Sequence, residues 1–207
     1  MRMHISMTVG VDDLKDALEE EGIRADLIVL GGDDSGSAPH SGQDDTTIDE
    51  FAGVFKLSKS RVLKTVTFVE SSSASSSSSS NKKEPNQEAS GSAFIMPLLV
   101  VLRGSDRVNL PALEERLGRK LRLAKASEVR EITGCKIGRV SPFGVAGALV
   151  VIDEGIGDGD VILPAGSQSA HCVYLKIGFK DLFRLVSRFS PEVLPLGFRV
   201  SETAPKQ

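Results

Sequence analysis

A glycine-rich run from Thr133 to Gly144 is the feature that most constrains how this chain can fold. Its twelve residues include three glycines, Gly134, Gly138 and Gly144, and one proline, Pro142. Glycine adopts backbone conformations that other residues avoid, and proline fixes φ and removes a hydrogen-bond donor, so the run cannot be a helix. Two interpretations follow. The run is either a structural turn between strands or a loop that presents backbone N–H groups to an anion or a carbonyl.

The composition is that of one globular domain with additions, or of two small domains. Of the 207 residues, 40% are hydrophobic, and the net charge of −3 excludes a globally basic surface. A nucleic-acid partner would therefore need a local basic patch. Cys135 and Cys172 lie far apart without metal-ligand spacing, which predicts free thiols in a reducing, cytoplasmic compartment. No apolar run is long enough for a membrane span, and Met1–Gly10 lacks the apolar centre of a signal peptide, so no membrane partner is expected.

The spacing of apolar residues predicts helices and strands in mixed order, with several strands joined by turns. This order favours an α/β fold with a mixed, largely antiparallel sheet, curled or closed into an irregular barrel, and with flanking helices. Helices are predicted at Val11–Gly22, from a Thr47 cap to Leu57, at Leu110–Leu117, at Glu128–Ile132 with Ser127 as the cap, and at Phe179–Val186. Strands are predicted at Asp26–Leu30, Val62–Val69, Phe94–Leu102, Leu121–Ala124, Ala148–Ile152, Asp160–Pro164 and Cys172–Ile177.

A low-complexity segment, Glu70–Ser92, separates two strands that form a hairpin-like pair, Val62–Val69 and Phe94–Leu102. Its serine tract cannot pack a core, which predicts disorder, and a long insertion in a surface loop is thermodynamically tolerable. We therefore expect an N-terminal helix and mobile loop over residues 1–45 that pack on the main domain. The main domain would span residues 46–190 with a disordered insertion at 71–92, and residues 191–207 would form an extension with a flexible end, Ser201–Gln207.

Lys64 is the unusual residue of the strand Val62–Val69. It shares one face of that strand with Val62, Val66 and Phe68, which are all apolar. A lysine in a row that faces the core needs a partner or a cleft, because burial of an unpaired ammonium is costly. The alternative is that Lys64 lies at the strand end and extends its ammonium to water.

Short motifs along most of the chain, roughly residues 14 to 188, together resemble a known family. They are Thr47–Glu50, Lys64–Thr65, Asn109–Leu113, Leu117–Gly118, Thr133–Gly134, Gly138, Val140–Pro142, Gly144, Val151–Asp153, Ala165–Ser167 and Asp181–Leu182. In their order and spacing they resemble the YbaK/ProX family of aminoacyl-tRNA deacylases. That family includes free-standing editing proteins and the editing insertion of prolyl-tRNA synthetases.

The resemblance implies hydrolysis of the ester that joins a wrong amino acid, alanine or cysteine, to the 3′ end of tRNA(Pro). It implies that Lys64 is the side chain most needed and that the loop Gly138–Pro142 holds the aminoacyl end. It also implies assistance from a hydroxyl of the terminal adenosine, no metal and no other cofactor. The partners it implies are the 3′ acceptor end of aminoacylated tRNA and prolyl-tRNA synthetase. The alternative is a non-catalytic module that binds tRNA or the synthetase.

The chemistry of these residues agrees with the implied roles. The Lys64 ammonium suits a phosphate or ribose oxygen, and the backbone N–H groups of Gly138 to Ser141 suit the ester carbonyl and its developing negative charge. A small pocket would act as a second sieve that admits alanine or cysteine and rejects proline. The candidate catalytic residues are Lys64, Gly138 and Ser141, and the candidate substrate-binding residues are Arg139, Val140, Pro142, Gly144, Gly166 and His171.

Several positions keep two interpretations. Arg139 stands where Cys-tRNA deacylases usually show glycine, and it either narrows the pocket, reaches a phosphate or is solvated. Cys172 stands where aspartate is common in those deacylases, and the adjacent His171 either lines the pocket or is structural. A His171–Cys172 dyad is disfavoured because adjacent strand residues point to opposite faces.

Ser141 either donates to substrate or caps the turn before Pro142. Cys135 is expected to be a buried thiol, and His40 a mobile surface residue. The chain's end in S-E-T-A-P-K-Q also suggests the N-terminal editing module of a longer synthetase.

Overall fold

The computed structural model describes residues 9–30, 52–53, 55, 57–71, 96–168, 171–190, 192–194 and 201–203. Helices and strands follow one another in mixed order within these residues, which confirms the predicted α/β class. The helices are α1 (Val11–Glu20), α2 (Leu110–Leu117), α3 (Ala126–Thr133) and α4 (Phe179–Phe189). The strands are β1 (Ala25–Leu30), β2 (Leu63–Glu70), β3 (Leu98–Arg103), β4 (Asp106–Val108), β5 (Leu121–Leu123), β6 (Leu149–Ile152), β7 (Asp160–Gln168), β8 (His171–Gly178), β9 (Glu192–Leu194) and β10 (Ser201–Thr203).

The described strands form three sheets. The largest has the order β5-β2-β3-β6-β9 and is antiparallel from β5 to β3 and parallel from β3 to β9. The second, β1-β8-β7, and the third, β10-β4, are antiparallel. A single bridge between Val62 and Ile162 joins the first two. The predicted mixed, largely antiparallel arrangement is confirmed. Of the two predicted forms, a curled sheet or an irregular barrel, the barrel is wrong for the described strands, because each sheet keeps two edge strands.

Strand β2 is buried on both of its faces. Leu63 and Val69 pack in the main hydrophobic cluster, together with Leu14 of α1. Phe68, on the other face, packs with Leu113 of α2 in a second cluster. The sequence singled out only the Phe68 face as apolar. The opposite face also carries core residues because the second sheet and the helices α1 and α4 cover it.

Helix α1 forms because apolar residues recur on one of its faces. Val11, Leu14, Ala17 and Leu18 are all buried at helical spacing. The Asp13 carboxylate accepts a hydrogen bond from the Gly10 N–H at 2.9 Å, which satisfies one of the free donors at the helix start. The helix thereby packs on the same core as the sheets.

Several predicted boundaries were wrong; for example, α4 continues beyond the predicted Val186 to Phe189. Helix α3 begins at Ala126 with Lys125 as its N-cap residue, not Ser127, because the Glu128 carboxylate accepts the Lys125 N–H at 2.7 Å. Strand β7 continues past Pro164 because it pairs with β8 to the end of their hairpin. The end predicted to be flexible contains strand β10, which pairs with β4 over Ser201–Thr203.

Other predictions fall outside the described residues. They include most of the helix expected from Thr47, the loop with His40, and the serine-rich insertion after Ser71. In the part of the chain that is described, no helix has the length and apolarity needed to cross a membrane.

Candidate active site

The first half of the glycine-rich loop is an exposed turn over residues 136–139. The Arg139 N–H donates to the Lys136 carbonyl at 3.0 Å, and Gly138 has a φ of +82°. A turn of this kind needs a positive φ at its third residue, which glycine adopts without strain. At Gly138 the run is therefore a structural turn, the first of the two interpretations. The Arg139 side chain extends into solvent.

The second half of the loop is anchored in the core. Val140 and Phe143 belong to the main hydrophobic cluster, and Pro142 is buried. The buried Ser141 hydroxyl oxygen accepts the Phe143 N–H at 3.2 Å, so the serine does cap this turn. The hydroxyl keeps its own proton for a second hydrogen bond. This half of the loop is therefore a fixed wall and not a free segment.

A cavity of about 110 Å³ lies beside this wall. It brings together two of the predicted site residues, Ser141 and Gly166. Gly166 lies at a register shift of β7 and has a φ of +119°. The remaining lining residues are Val9, Gly10, Thr133, Gly134, Cys135, Phe143 and Val145. Cys135 is a buried free thiol, as expected.

The other substrate-binding candidates lie in different settings. Gly144 lines a separate groove of about 650 Å³ between α1 and the end of α4. Val140 and Pro142 are buried residues of the loop itself, and Arg139 is exposed. His171 begins β8 and pairs with Gln168 at the end of the β7–β8 hairpin. The side chains of His171 and Cys172 lie outside the described residues.

Lys64 is half-buried on β2 and has a partner of its own. Its Nζ donates to the Gly104 carbonyl at 2.9 Å, in the turn between β3 and β4. Burial lowers the pKa of Lys64 below its ordinary value of 10.5; Asp106 opposes this shift and Arg107 adds to it. Alternation along β2 places Lys64 on the Phe68 face, whereas Val140 and Phe143 pack in the cluster on the other face. The structure therefore does not bring Lys64 together with the buried half of the loop.

Among the residues that the structure describes, no three His, Cys, Asp or Glu side chains lie close enough together to hold a metal ion. Sequence reasoning missed Val9 and Gly10 as part of the cavity wall. No local pattern marks them, because they reach the loop only through tertiary packing.

Comparison with known proteins decides the family. A family model for the aminoacyl-tRNA editing domain matches residues 43–182, which is more than half of the chain. The chain belongs to the aminoacyl-tRNA editing domain family. The matched part of this editing domain contains Lys64, the glycine-rich loop and Gly166.

Solved structures share the fold of the editing domain. A crystal structure of "hypothetical protein APE2540" is 20% identical, with 91% of this chain and 99% of that chain covered and a TM-score of 0.62. A crystal structure of "a putative trans-editing enzyme for prolyl tRNA synthetase" is 22% identical, with 88% and 93% covered and a TM-score of 0.58. A search of curated protein sequences found no significant match.

Proposed function

We propose that this editing domain is an aminoacyl-tRNA deacylase that hydrolyses the ester of mischarged tRNA(Pro), with alanine or cysteine as the wrong amino acid. It acts in the cytoplasm, either in trans or as the editing module of a prolyl-tRNA synthetase. The observation that carries the proposal is the family match over residues 43–182. The similarity of the fold to a protein described as acting in trans for prolyl-tRNA synthetase supports the choice of tRNA.

The size of the cavity beside the loop supports a small amino acid. Its volume of about 110 Å³ equals three to four water molecules at roughly 30 Å³ each. In our proposal the side chain of the amino acid enters beside Ser141 and Gly166. The backbone N–H groups of Gly138, Val140 and Ser141 stabilise the negative charge that develops on the ester carbonyl oxygen, while the Arg139 N–H stays with the Lys136 carbonyl.

The remaining candidates have supporting roles in this proposal. Val140, Pro142 and Gly144 keep the loop in place through packing, and Arg139 and His171 contact the terminal nucleotide. Water adds to the carbonyl carbon, the ester C–O bond breaks, and the products are the free amino acid and the tRNA hydroxyl. A hydroxyl of the terminal adenosine positions that water.

The role proposed for Lys64 is to hold the terminal adenosine. An ammonium has three N–H donors, and the Gly104 carbonyl accepts one of them. The other two suit a ribose or phosphate oxygen. Because Lys64 already has a structural partner, its substitution must be judged against folding as well as against activity.

A deacylation assay tests the proposal. The purified protein is incubated with alanyl, cysteinyl, seryl and prolyl esters of tRNA(Pro), and the release of amino acid is followed. We expect release of alanine or cysteine, retention of proline, and loss of activity in Lys64→Ala. Lys180→Ala is the control, since Lys180 is exposed on α4 and pairs with the exposed Asp158 at 3.7 Å. Full activity in a folded Lys64→Ala protein would contradict the assignment of Lys64.

A second candidate function is a non-catalytic module that binds tRNA or the synthetase. The observation that favours it is the position of Lys64, on the sheet face opposite the buried half of the loop. This candidate predicts that the protein binds tRNA(Pro) or the synthetase and hydrolyses none of the four esters. Hydrolysis of any of them that depends on Lys64 excludes it.

A further inference from the structure

The charges of this chain are unevenly distributed along its length. The whole chain has 25 Lys and Arg against 28 Asp and Glu, yet residues 116–139 contain eight basic residues and two acidic ones. Residues 9–30 show the reverse, with two basic and seven acidic residues. The basic segment runs from the end of α2 through β5 and α3 to the turn over residues 136–139. A local patch of this kind is how a protein of negative net charge attracts nucleic-acid phosphates.

Only part of this basic segment has partners within the protein. Three of its cations form ion pairs: Arg119 with Glu70 at 3.0 Å, Lys120 with Glu114 at 2.8 Å, and Arg122 with Glu128 at 2.6 Å. Three others, Arg130, Lys136 and Arg139, are exposed. Within the described ranges, no side-chain hydrogen bond or ion pair involves these three. Arg130 lies on α3, and Lys136 and Arg139 lie on the turn that leads into the candidate active site.

The turn presents two of these cations in a fixed arrangement. Lys136 and Arg139 are its first and last residues, so their Cα atoms lie within about 7 Å of each other. The residues on either side of the turn, Cys135 and Val140, are buried at 7% and 3% exposure and anchor it. Between the cations, Ile137 is 60% exposed, and among the described residues only Val29 and Leu123 are also large apolar side chains with such exposure. An anchored turn loses little conformational entropy when it binds a ligand.

We propose that the turn over residues 136–139, together with Arg130, is a docking surface for RNA phosphates at the acceptor end of the tRNA. Lys136 and Arg139 contact phosphates of the strand that ends at the 3′ terminus, and Ile137 packs against a ribose or a base. This inference rests on the proposed function, because docking at the turn delivers the ester to the cavity beside Ser141.

A binding experiment with uncharged RNA tests this surface. The probe is a fluorescein-labelled RNA hairpin that ends in a single-stranded CCA, and fluorescence anisotropy is measured over a series of salt concentrations. The test variant is Lys136→Glu/Arg139→Glu. The matched control, Lys15→Glu/Lys180→Glu, makes the same change in net charge at exposed positions of α1 and α4.

We expect the Kd of the turn variant for the RNA to rise by about tenfold or more. The slope of log Kd against log salt concentration should decrease by about 1.5 to 2, because two phosphate contacts are lost. The control should stay near the wild-type Kd. Lys136→Gln/Arg139→Gln, which removes the charges without reversing them, should show a smaller rise of the same kind. Thermal melting checks that each variant folds, which is expected because both side chains are in solvent.

The outcomes separate this inference from the proposed function. Equal weakening of RNA binding in the turn variant and in the control would mean that only net charge matters. Unchanged RNA binding in the turn variant would mean that the RNA binds elsewhere on the protein. Either result overturns the proposed docking surface. A wild-type protein that binds the synthetase but not the RNA overturns it too. Since the probe carries no amino acid, turn-dependent binding supports the surface even if no ester is hydrolysed. Hydrolysis with turn-independent binding overturns the surface and leaves the proposed function intact.

Discussion

Gly144 packs directly against Val9, with no room for a side chain between them. A Cβ on Gly144 would overlap the Val9 side chain and would lie 3.0 Å from the Val9 backbone nitrogen. The φ of Gly144 is +67°, a conformation that residues with a Cβ rarely adopt. This contact holds the segment before α1 against the glycine-rich loop, so Val9 and Gly10 become part of the cavity wall.

Substitution of Gly144 should therefore be much more destabilising than substitution of Gly138. Gly144→Ala combines a positive-φ cost of about 1–2 kcal/mol with an overpacking cost of about 1–3 kcal/mol. Gly138→Ala should incur only the first cost, because nothing lies within 4 Å of the position that its Cβ would take. Urea denaturation of both variants measures the difference. Equal losses in the two variants would show that Val9 moves aside freely.

Ser141 should have a structural role that can be separated from any role in catalysis. Ser141→Ala leaves the Phe143 N–H without its acceptor in a buried turn, which should lower the free energy of unfolding by about 1–3 kcal/mol. If the hydroxyl also donates to substrate, kcat falls further in protein that is fully folded. Deacylation is measured well below the melting temperature of the variant. A normal kcat there would remove Ser141 from the catalytic candidates and leave its role in the turn.

Lys64 should make stability depend on alkaline pH. Burial lowers the pKa of Lys64 in the folded state, so between that pKa and 10.5 the unfolded chain binds more protons than the folded one. In this window the contribution of Lys64 to stability rises with pH. The stability of the wild type relative to Lys64→Met should increase from neutral pH toward pH 10.5, as measured by urea denaturation. A constant difference across this range would contradict the effect of burial.

Glu128 should contribute stability that disappears in acid. The Arg122 guanidinium, at 2.6 and 2.7 Å, and then the Lys125 N–H lower the pKa of Glu128 from 4.5 to about 2. A depressed folded-state pKa stabilises the fold above pH 4.5, and the contribution is lost as the pH falls toward 2. The pair is partly exposed, so the effect should be modest and smaller at high salt.

The matched comparison for this effect is Glu128→Gln against Glu131→Gln. Both residues lie on α3, but Glu131 is exposed. The stability difference between wild type and Glu128→Gln should shrink over the acidic window, because protonation of Glu128 removes its hydrogen bonds from Arg122. Parallel curves for the two variants would place the acid-sensitive group elsewhere.

Much of the local structure could be predicted because its causes lie close together in the sequence. The helical spacing of Val11, Leu14 and Leu18 predicted α1, and the β-branched run predicted β2. Three glycines and a proline excluded a helix between Thr133 and Gly144, and the ordered motifs indicated the family. Each of these signals depends on a side-chain period or a backbone restriction, which residues impose on their immediate neighbours.

The composition of the candidate site depended on tertiary structure. Sequence alone left Ser141 either as a cap or as a donor to substrate, and it left Lys64 either in a cleft or in water. Packing of distant segments assigned Lys64 to the Gly104 carbonyl, brought Gly166 beside Ser141, and pressed Val9 against Gly144. Such contacts are set by which surfaces meet when sheets and helices bury their apolar faces together, and no local period in the sequence encodes that choice.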